Sequence, residues 1–155
     1  MAEARRARRP AAQAERPRLT YLVGRLHRAV RKHIGEAVRP FGLSVAQYTT
    51  LSVLRSRGQL SNAQLANRVF ISPQAMNEVV QSLQEQKLIT RRPDPTHGRI
   101  VQLALTERGA EALAACDTAV RSLERSMLAD LSEPEREMFR TALSRCVEAL
   151  ERKQS

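Results

Sequence analysis

The sequence predicts a mainly α protein with one small two-stranded antiparallel hairpin. Three observations lead to this fold class. Apolar residues recur at helical spacing over most of the chain, five of the helical runs open on a serine or threonine, and one turn-rich segment separates two runs rich in β-branched residues. The 155 residues are the size of a single domain.

The helix starts are predicted by capping chemistry. Three serines precede a Gln or Glu by three residues, the capping-box spacing in which each side chain bonds the other residue's amide. A Ser-Pro pair and a threonine give two further starts. The five predicted caps are Ser44, Ser61, Ser72, Thr106 and Ser132. With a first helix from Leu19 to about Val38, ended by Pro40 and Gly42, the chain is predicted to contain six helices.

The hairpin, which we call the wing, is predicted over residues 88–105. The runs "LITRR" and "RIVQLALT" are rich in β-branched residues, and Pro-Asp-Pro-Thr-His-Gly between them is turn chemistry. Arg91 and Arg92 lie on the outgoing strand, His97 at the tip and Arg99 at the start of the return strand. Arginine is attracted to narrow minor grooves of DNA, so this hairpin favours a nucleic-acid contact.

Positive charge is concentrated in the first two-thirds of the chain. Residues 1–18 carry six arginines and two acids, and residues 19–100 carry twelve Lys or Arg and four acids. Residues 101–155 carry eight basic and ten acidic residues. A polyanion such as nucleic acid is the first candidate partner. A membrane surface is disfavoured because it selects bulky aromatics, and the chain has no Trp and three Phe. No secretory signal is recognisable, so we expect a cytoplasmic, nucleoid-associated protein.

A short helix, a three-residue turn, a second helix and a hairpin form the order of a winged helix-turn-helix. The second helix would enter the major groove, where Asn and Gln amides pair with base edges. The alternative is that these amides only solvate an outer face. The predicted DNA-binding residues are Ser61, Asn62, Ser72, Gln74, Ala75, Asn77, Glu78, Gln81, Arg91, Arg92, His97 and Arg99.

Residues 19–150 resemble the MarR family of bacterial transcriptional regulators. The resemblance lies in "LSVAQYTTLSVL", "LSNAQLANRVFISPQAMNEVVQSLQEQKLITRRPDPTHGR" and "LTERG". The family's wing usually carries Asp-x-Arg; Arg99 matches the arginine, and His97 stands at the aspartate position. Wing binding is therefore expected to weaken above pH 7, where histidine is neutral. Phe70 occupies the turn where many helix-turn-helix proteins have glycine.

The resemblance implies a winged helix-turn-helix lobe over residues 44–105 and a helical dimerisation region over 19–43 and 106–155. Residues 1–18 are predicted to be a basic disordered tail. A two-fold homodimer implies a pseudo-palindromic operator in double-stranded DNA. Intrachain packing of the last two helices is the alternative. The predicted seam residues are Leu22, Leu26, Leu113, Cys116, Val120, Leu123, Phe139, Leu143, Cys146 and Leu150.

Family members commonly release DNA when a small phenolic or anionic ligand binds beside the dimerisation helices. His27, Arg31, His33 and Tyr48 are the candidate pocket residues, with core or solvated surface as the alternative for each. Redox sensing by Cys116 or Cys146, or a zinc site formed by the histidines and a cysteine, stays open without support from spacing. No catalytic motif, metal spacing or cofactor loop is present, which disfavours an enzyme. A helical adaptor that binds no DNA is the remaining alternative, and too few aromatics are present for an RNA binder.

Overall fold

The computed structural model of the chain describes residues 16–93 and 101–152. Within these ranges it contains six α-helices and one two-stranded antiparallel sheet, which confirms the predicted fold class. In chain order the elements are α1 (Leu19–Val38), α2 (Val45–Arg57), α3 (Asn62–Val69), α4 (Pro73–Glu85), β1 (Ile89–Pro93), β2 (Val101–Leu105), α5 (Glu107–Met127) and α6 (Glu133–Glu151). A 3-10 turn, Arg39–Phe41, joins α1 to α2.

The first two capping boxes form as predicted. The Ser44 amide donates to Gln47 Oε1 at 2.8 Å, and the Gln47 amide donates back to Ser44 Oγ at 3.2 Å. Ser61 and Gln64 repeat the arrangement at 2.8 and 3.3 Å. Each box satisfies two amides that a helix start leaves without an intrahelical partner, so the beginnings of α2 and α3 are fixed locally.

The other three predicted starts are also confirmed. The amide and hydroxyl of Ser132 both donate to the Glu135 carboxylate, at 2.8 and 2.6 Å, and these bonds lower the pKa of Glu135. Ser72 Oγ accepts from the amide of the third α4 residue at 3.1 Å. Thr106 Oγ1 accepts from the Gly109 amide at 3.0 Å. The first helix, α1, begins without a side-chain cap hydrogen bond.

The core lies between α2, α3, α4, the wing and the first half of α5. Helical periodicity predicts Leu65, Ala66 and Val69 of α3 and Met76, Val80 and Leu83 of α4 as inward residues, and all six are buried. The same periodicity also predicts burial of Val45 and Val79, which are only half-buried. The buried residues of α2, α3 and α4 are Tyr48, Thr50, Leu51, Leu54, Leu65, Ala66, Val69, Met76, Val80 and Leu83.

The wing is joined to the helical core at both strands. Ile89 pairs with Leu105 and Pro93 with Val101, in antiparallel register. Leu60, between α2 and α3, exchanges two backbone hydrogen bonds with Leu103 of β2, at 2.8 and 3.2 Å. This single bridge adds a short third edge to the sheet, which the sequence pattern did not predict.

The start of α5 is packed directly on the start of β1. Thr106 Oγ1 donates to the Lys87 carbonyl at 2.8 Å, and the Thr106 amide donates to the Leu88 carbonyl at 3.1 Å. Gly109 lies so close that a Cβ there would overlap the Leu88 carbonyl oxygen. The glycine of the "LTERG" motif is therefore required by close backbone approach.

The predicted seam residues fall into three groups by burial. Leu113 and Cys116 are fully buried in the chain's own core, so their assignment to a dimer seam is wrong: the heptad-like spacing of α5 identified an apolar face but not what covers it. Leu26, Val120 and Leu123 are half-buried. The exposed members are Leu22, Phe139, Leu143, Cys146 and Leu150.

No residue of α6 is buried. Packing of α6 within this chain therefore supplies no core, contrary to the intrachain alternative. Among the described helices, none combines the length and apolar character needed to cross a bilayer.

Candidate nucleic-acid interface

The helix α4 presents a polar face to solvent, as the sequence predicts. Its buried stripe anchors one side, and Gln74, Asn77, Glu78 and Gln81 are exposed on the other. Ala75 is half-buried at the border of the two sides. The side-chain nitrogen Nε2 of Gln81 donates to Glu85 Oε1 at 3.0 Å, one helical turn further along. Gln74 and Glu78 have no hydrogen-bond partner among the described residues, so both are free to meet a ligand.

The N-terminus of α3 contacts the middle of α4. Asn62 Nδ2 donates to Asn77 Oδ1 at 2.9 Å, while Asn62 Oδ1 is buried and without a partner in the described part of the chain. The hydroxyls of Ser61 and Ser72 each accept a hydrogen bond from a backbone amide in the first turn of the helix that they cap. Three predicted DNA-contacting side chains (Ser61, Asn62 and Ser72) are therefore already engaged with the protein. Helix N-termini carry partial positive charge and free amides, which suits phosphate.

The arginines of β1 differ in their surroundings. Arg91 Nε donates to Gln84 Oε1 at 3.0 Å, which ties the wing to α4. Arg91 pairs with Leu103 and Arg92 with Gln102, and successive strand residues point to opposite faces. Both arginines are exposed, but only Arg91 lies on the side of the strand that faces α4. No local pattern in the sequence singles out Gln84, because its role depends on a contact with a residue seven positions away.

The wing tip lies outside the described residues. Predictions for His97 and Arg99 therefore stay predictions, as does the assignment of residues 1–15 of the tail. The described part of the wing ends at Pro93 and resumes at Val101, which are paired with each other.

A two-point ion pair links α2 to α5. Arg55 Nη1 lies 2.7 Å from Asp117 Oδ2 and Nη2 lies 3.3 Å from Oδ1. Arg121 approaches the same carboxylate at 3.7 Å. The hydrogen bond to Asp117 raises the pKa of Arg55 above its usual value. The two residues are 62 positions apart, so no local sequence pattern predicts this pair.

The four predicted pocket residues are not gathered into one site. His27 and Arg31 are exposed on α1, and His33 is exposed with its Nδ1 3.0 Å from Glu36 Oε2. Tyr48 is buried in the core on α2. Helical spacing predicts His27 and His33 on or near the buried side of α1, but both are exposed, because the packed stripe of α1 follows four-residue steps that pass beside them.

A cleft of about 480 Å³ lies between α5 and α6. None of the predicted pocket residues lines it. Its walls combine four arginines with three glutamates, and the arginines are Arg121, Arg125, Arg136 and Arg140.

The two cysteines have different environments. Cys116 is fully buried and its Sγ lies 3.3 Å from the Ala112 carbonyl oxygen. Burial raises the pKa of the Cys116 thiol, and the neighbouring Asp117 charge raises it further. Cys146 is exposed on α6. Across residues 16–93 and 101–152, no three His, Cys, Asp or Glu side chains come together as a metal-binding group.

A solvent-facing helix with an amide-rich face, a short helix crossing it and a basic hairpin beside it together define a winged helix-turn-helix regulator of transcription. The sequence model of the MarR family matches residues 41–100. The HTH-type transcriptional repressor Rv2887 of Mycobacterium tuberculosis is 30% identical over 127 residues, which cover 82% of this chain and 91% of the repressor. The chain belongs to the MarR family of transcriptional regulators.

Solved structures agree with this assignment. The complex of the M. tuberculosis MarR family protein Rv2887 with salicylic acid has a TM-score of 0.72 at 29% identity, covering 86% of this chain and 98% of that one. The Rv2887 complex with DNA has a TM-score of 0.69 at 28% identity, covering 84% and 98%. The apo form of wild-type MarR from E. coli has a TM-score of 0.74 at 20% identity, with coverage of 84% and 97%, and supports the fold alone.

Proposed function

We propose that this chain is a repressor that binds a pseudo-palindromic DNA operator as a homodimer and releases it when a small phenolic or anionic ligand binds. The observation that carries the proposal is the exposed amide row of α4, whose opposite side is held in the core by Met76, Val80 and Leu83. A rigid helix with this face can enter the major groove, where Asn and Gln side chains distinguish base pairs.

The DNA contacts follow from the geometry of the lobe. Gln74, Asn77 and Gln81 would read base edges, and Glu78 would accept from cytosine. The N-termini of α3 and α4 would lie against phosphates, and Arg92 would add a charge contact beside them. Together with the wing tip, these elements give each copy one major-groove and one flanking contact.

The homodimer is supported by apolar surface that a single copy leaves uncovered. One group of exposed apolar residues lies on α6 and a second on the first turns of α1. A second copy related by a two-fold axis would cover both and set the recognition helices about 34–36 Å apart. The exposed residues are Leu19, Tyr21, Leu22, Val23, Met138, Phe139, Leu143, Val147 and Leu150.

Ligand release is supported by a relative. Rv2887, which shares the fold over nearly its whole length, has been solved with salicylic acid and with p-aminosalicylic acid. An aromatic carboxylate of this kind would act by binding one arrangement of the dimer better than the other, and the difference in affinity limits the shift.

In-vitro selection of duplexes from a random pool at fixed salt tests the proposal. We expect an enriched inverted repeat with half-sites about 10 base pairs apart, centre to centre. The double variant Gln74→Ala with Asn77→Ala is the matched control and should enrich no common sequence. Selection that enriches nothing beyond bulk polyanion binding would contradict DNA recognition.

Two further measurements separate the remaining parts of the proposal. Sedimentation equilibrium should give a dimer at micromolar concentration, and Leu143→Glu on the exposed face of α6 should give a monomer. Salicylate should weaken binding to the selected duplex and leave binding to an unrelated duplex unchanged. A monomeric wild type contradicts the dimer, and unchanged operator binding contradicts release by this class of ligand.

A further inference from the structure

Two asparagines meet where α3 crosses α4. Asn62 is the first residue of α3, and Asn77 is the fifth residue of α4 and lies on its exposed face. Asn62 Nδ2 donates to Asn77 Oδ1 over 2.9 Å. This bond joins the backbone-crossing helix to a side chain on the face that we propose enters the groove.

Asn62 is poorly placed to contact DNA by itself. Its Oδ1 atom is buried and has no partner among the described residues, and its Nδ2 atom is directed to Asn77. The residue is only half-buried overall, so solvent reaches other parts of it. Its Nδ2 atom is nevertheless bonded to Asn77 of α4, so Asn62 can affect a ligand only by orienting Asn77.

The bond decides what Asn77 offers to a base. A free carboxamide binds adenine at two points, accepting from N6 and donating to N7. The bond from Asn62 engages one of the two lone pairs of Asn77 Oδ1 and holds this oxygen toward α3, so the two amide hydrogens are the groups best placed for the groove. Guanine presents two adjacent acceptors, O6 and N7, and has no donor at this edge. A carboxamide held with its donors toward the groove therefore fits guanine better than adenine.

We infer that Asn62 is a positioning residue that turns the Asn77 carboxamide so that it donates, which makes guanine preferred over adenine at the base that Asn77 faces. The inference rests on the proposed binding of α4 to DNA. It adds a base preference and assigns its origin to a residue outside the recognition helix.

The test inverts the hydrogen bond. In Asn62→Asp the carboxylate only accepts, so Asn77 must donate to it and present Oδ1 to the groove. The selected operator identifies the base pair that Asn77 faces, as the one whose preference disappears in Asn77→Ala. Affinities are then compared for duplexes that differ only at that pair. We expect wild type to prefer guanine over adenine about tenfold, and Asn62→Asp to reverse the order.

Asn67→Asp is the matched control. Asn67 lies on the same helix, is exposed and has no hydrogen-bond partner among the described residues, so its substitution adds the same charge without touching Asn77. We expect it to weaken all duplexes equally and to keep guanine preferred. A second variant, Asn77→Asp, keeps the Asn62 donor and also presents an acceptor to the groove. It should disfavour guanine even if Asn62→Asp folds poorly.

The outcomes separate this inference from the proposed function. A wild type that prefers adenine, or an Asn62→Asp variant that keeps the guanine preference, overturns the inference while sequence-specific binding stands. Equal loss on every duplex in both aspartate variants of α3 also overturns it. A wild type without preference for any duplex contradicts the proposed function itself, and the positioning role with it.

Discussion

Arg55 and Asp117 are joined at two points, 2.7 and 3.3 Å, and their contact fixes the distance between α2 and α5. The Asp117 side chain is only 17% exposed, although Arg55 is 48% exposed. Partial burial shields the pair from water and salt, so it stabilises more than a surface ion pair does. Paired guanidinium and carboxylate groups also fix orientation, because both members are planar.

Removal of this ion pair should destabilise the fold. In Asp117→Asn one strong acceptor is lost and Arg55 keeps an unmatched charge. We expect the free energy of unfolding to fall by about 1 kcal/mol, measured by urea denaturation. Arg121→Ala is the control, because that side chain is 70% exposed and lies 3.7 Å from the same carboxylate. Equal decreases in the free energy of unfolding in the two variants would show that the two-point geometry adds no stability beyond that of the longer contact with Arg121.

Phe70 should be replaceable by glycine with a gain in stability. Its backbone is left-handed, with φ 57° and ψ 44°, and its side chain is 84% exposed. The left-handed region costs a residue with a Cβ roughly 1–2 kcal/mol, and the greater freedom of glycine in the unfolded chain offsets part of this. We expect Phe70→Gly to raise the free energy of unfolding by about 0.5–1 kcal/mol. Phe70→Ala keeps the Cβ and should give no gain; a gain of the same size there would exclude backbone strain as the cause.

Gly109 should not tolerate a side chain. A Cβ at this position would overlap the Leu88 carbonyl oxygen, which belongs to the backbone and has no room to turn away. We expect Gly109→Ala to lower the free energy of unfolding by about 2 kcal/mol or more. Gly24→Ala is a matched helical control, since a Cβ there meets nothing within 4 Å. Helix propensity predicts a gain of up to about 1 kcal/mol for that control. Thermal or urea unfolding of both variants measures the expected loss and the expected gain in stability.

The Cys116 thiol should make the protein less stable at high pH. Its pKa is raised by burial and by Asp117, so the folded state keeps the thiol proton where the unfolded chain has lost it. The stabilisation is complete below the unfolded thiol pKa, about 8.5, and is lost as the pH rises from there through the higher folded pKa. Urea denaturation between about pH 8 and pH 10 should therefore give falling free energies for wild type and a shallower fall for Cys116→Ala. Cys146→Ala, on the exposed helix, should keep the wild-type slope.

The arginines of the wing should contribute differently to DNA binding. Arg92 is expected to meet phosphate, so Arg92→Ala should reduce the slope of log affinity against log salt by about one without changing sequence preference. Arg99→Ala should cost about 1–3 kcal/mol of binding free energy if the side chain meets a base edge, and should otherwise act like Arg92→Ala. Fluorescence anisotropy over a salt series measures both quantities. An Arg99→Ala variant identical to wild type in both would remove the wing from the interface.

The parts of the fold that could be predicted are those governed by local chemistry. The capping boxes that begin α2 and α3 involve residues three apart, and the exposed side of α4 follows from the period of the helix. The same reasoning failed for Cys116, because periodicity identifies an apolar face without identifying its partner. It also failed for His33, which lies beside the packed stripe of α1 and not in it.

The parts that could not be predicted depend on contacts between distant residues. The bridge between Leu60 and Leu103 and the Arg55–Asp117 pair join segments that no local pattern connects. The bond between Asn62 and Asn77 is of the same kind, although both residues were singled out as DNA contacts. Residue type and position were therefore enough to identify candidate residues. The contacts of each side chain were needed to assign its role.

The junction of α5 with Lys87 and Leu88 has a mechanical consequence. The base of the wing and the end of α4 are hydrogen-bonded to one end of α5, a helix of 21 residues that is about 30 Å long. A tilt of α5 would therefore move α4 and the wing with it. Pivoting by about 10° at the far end would displace the fastened end by about 5 Å, more than the ~3.4 Å step from one base to the next. In the proposed homodimer, a small change of angle where the two copies join would therefore shift α4 by more than one base step.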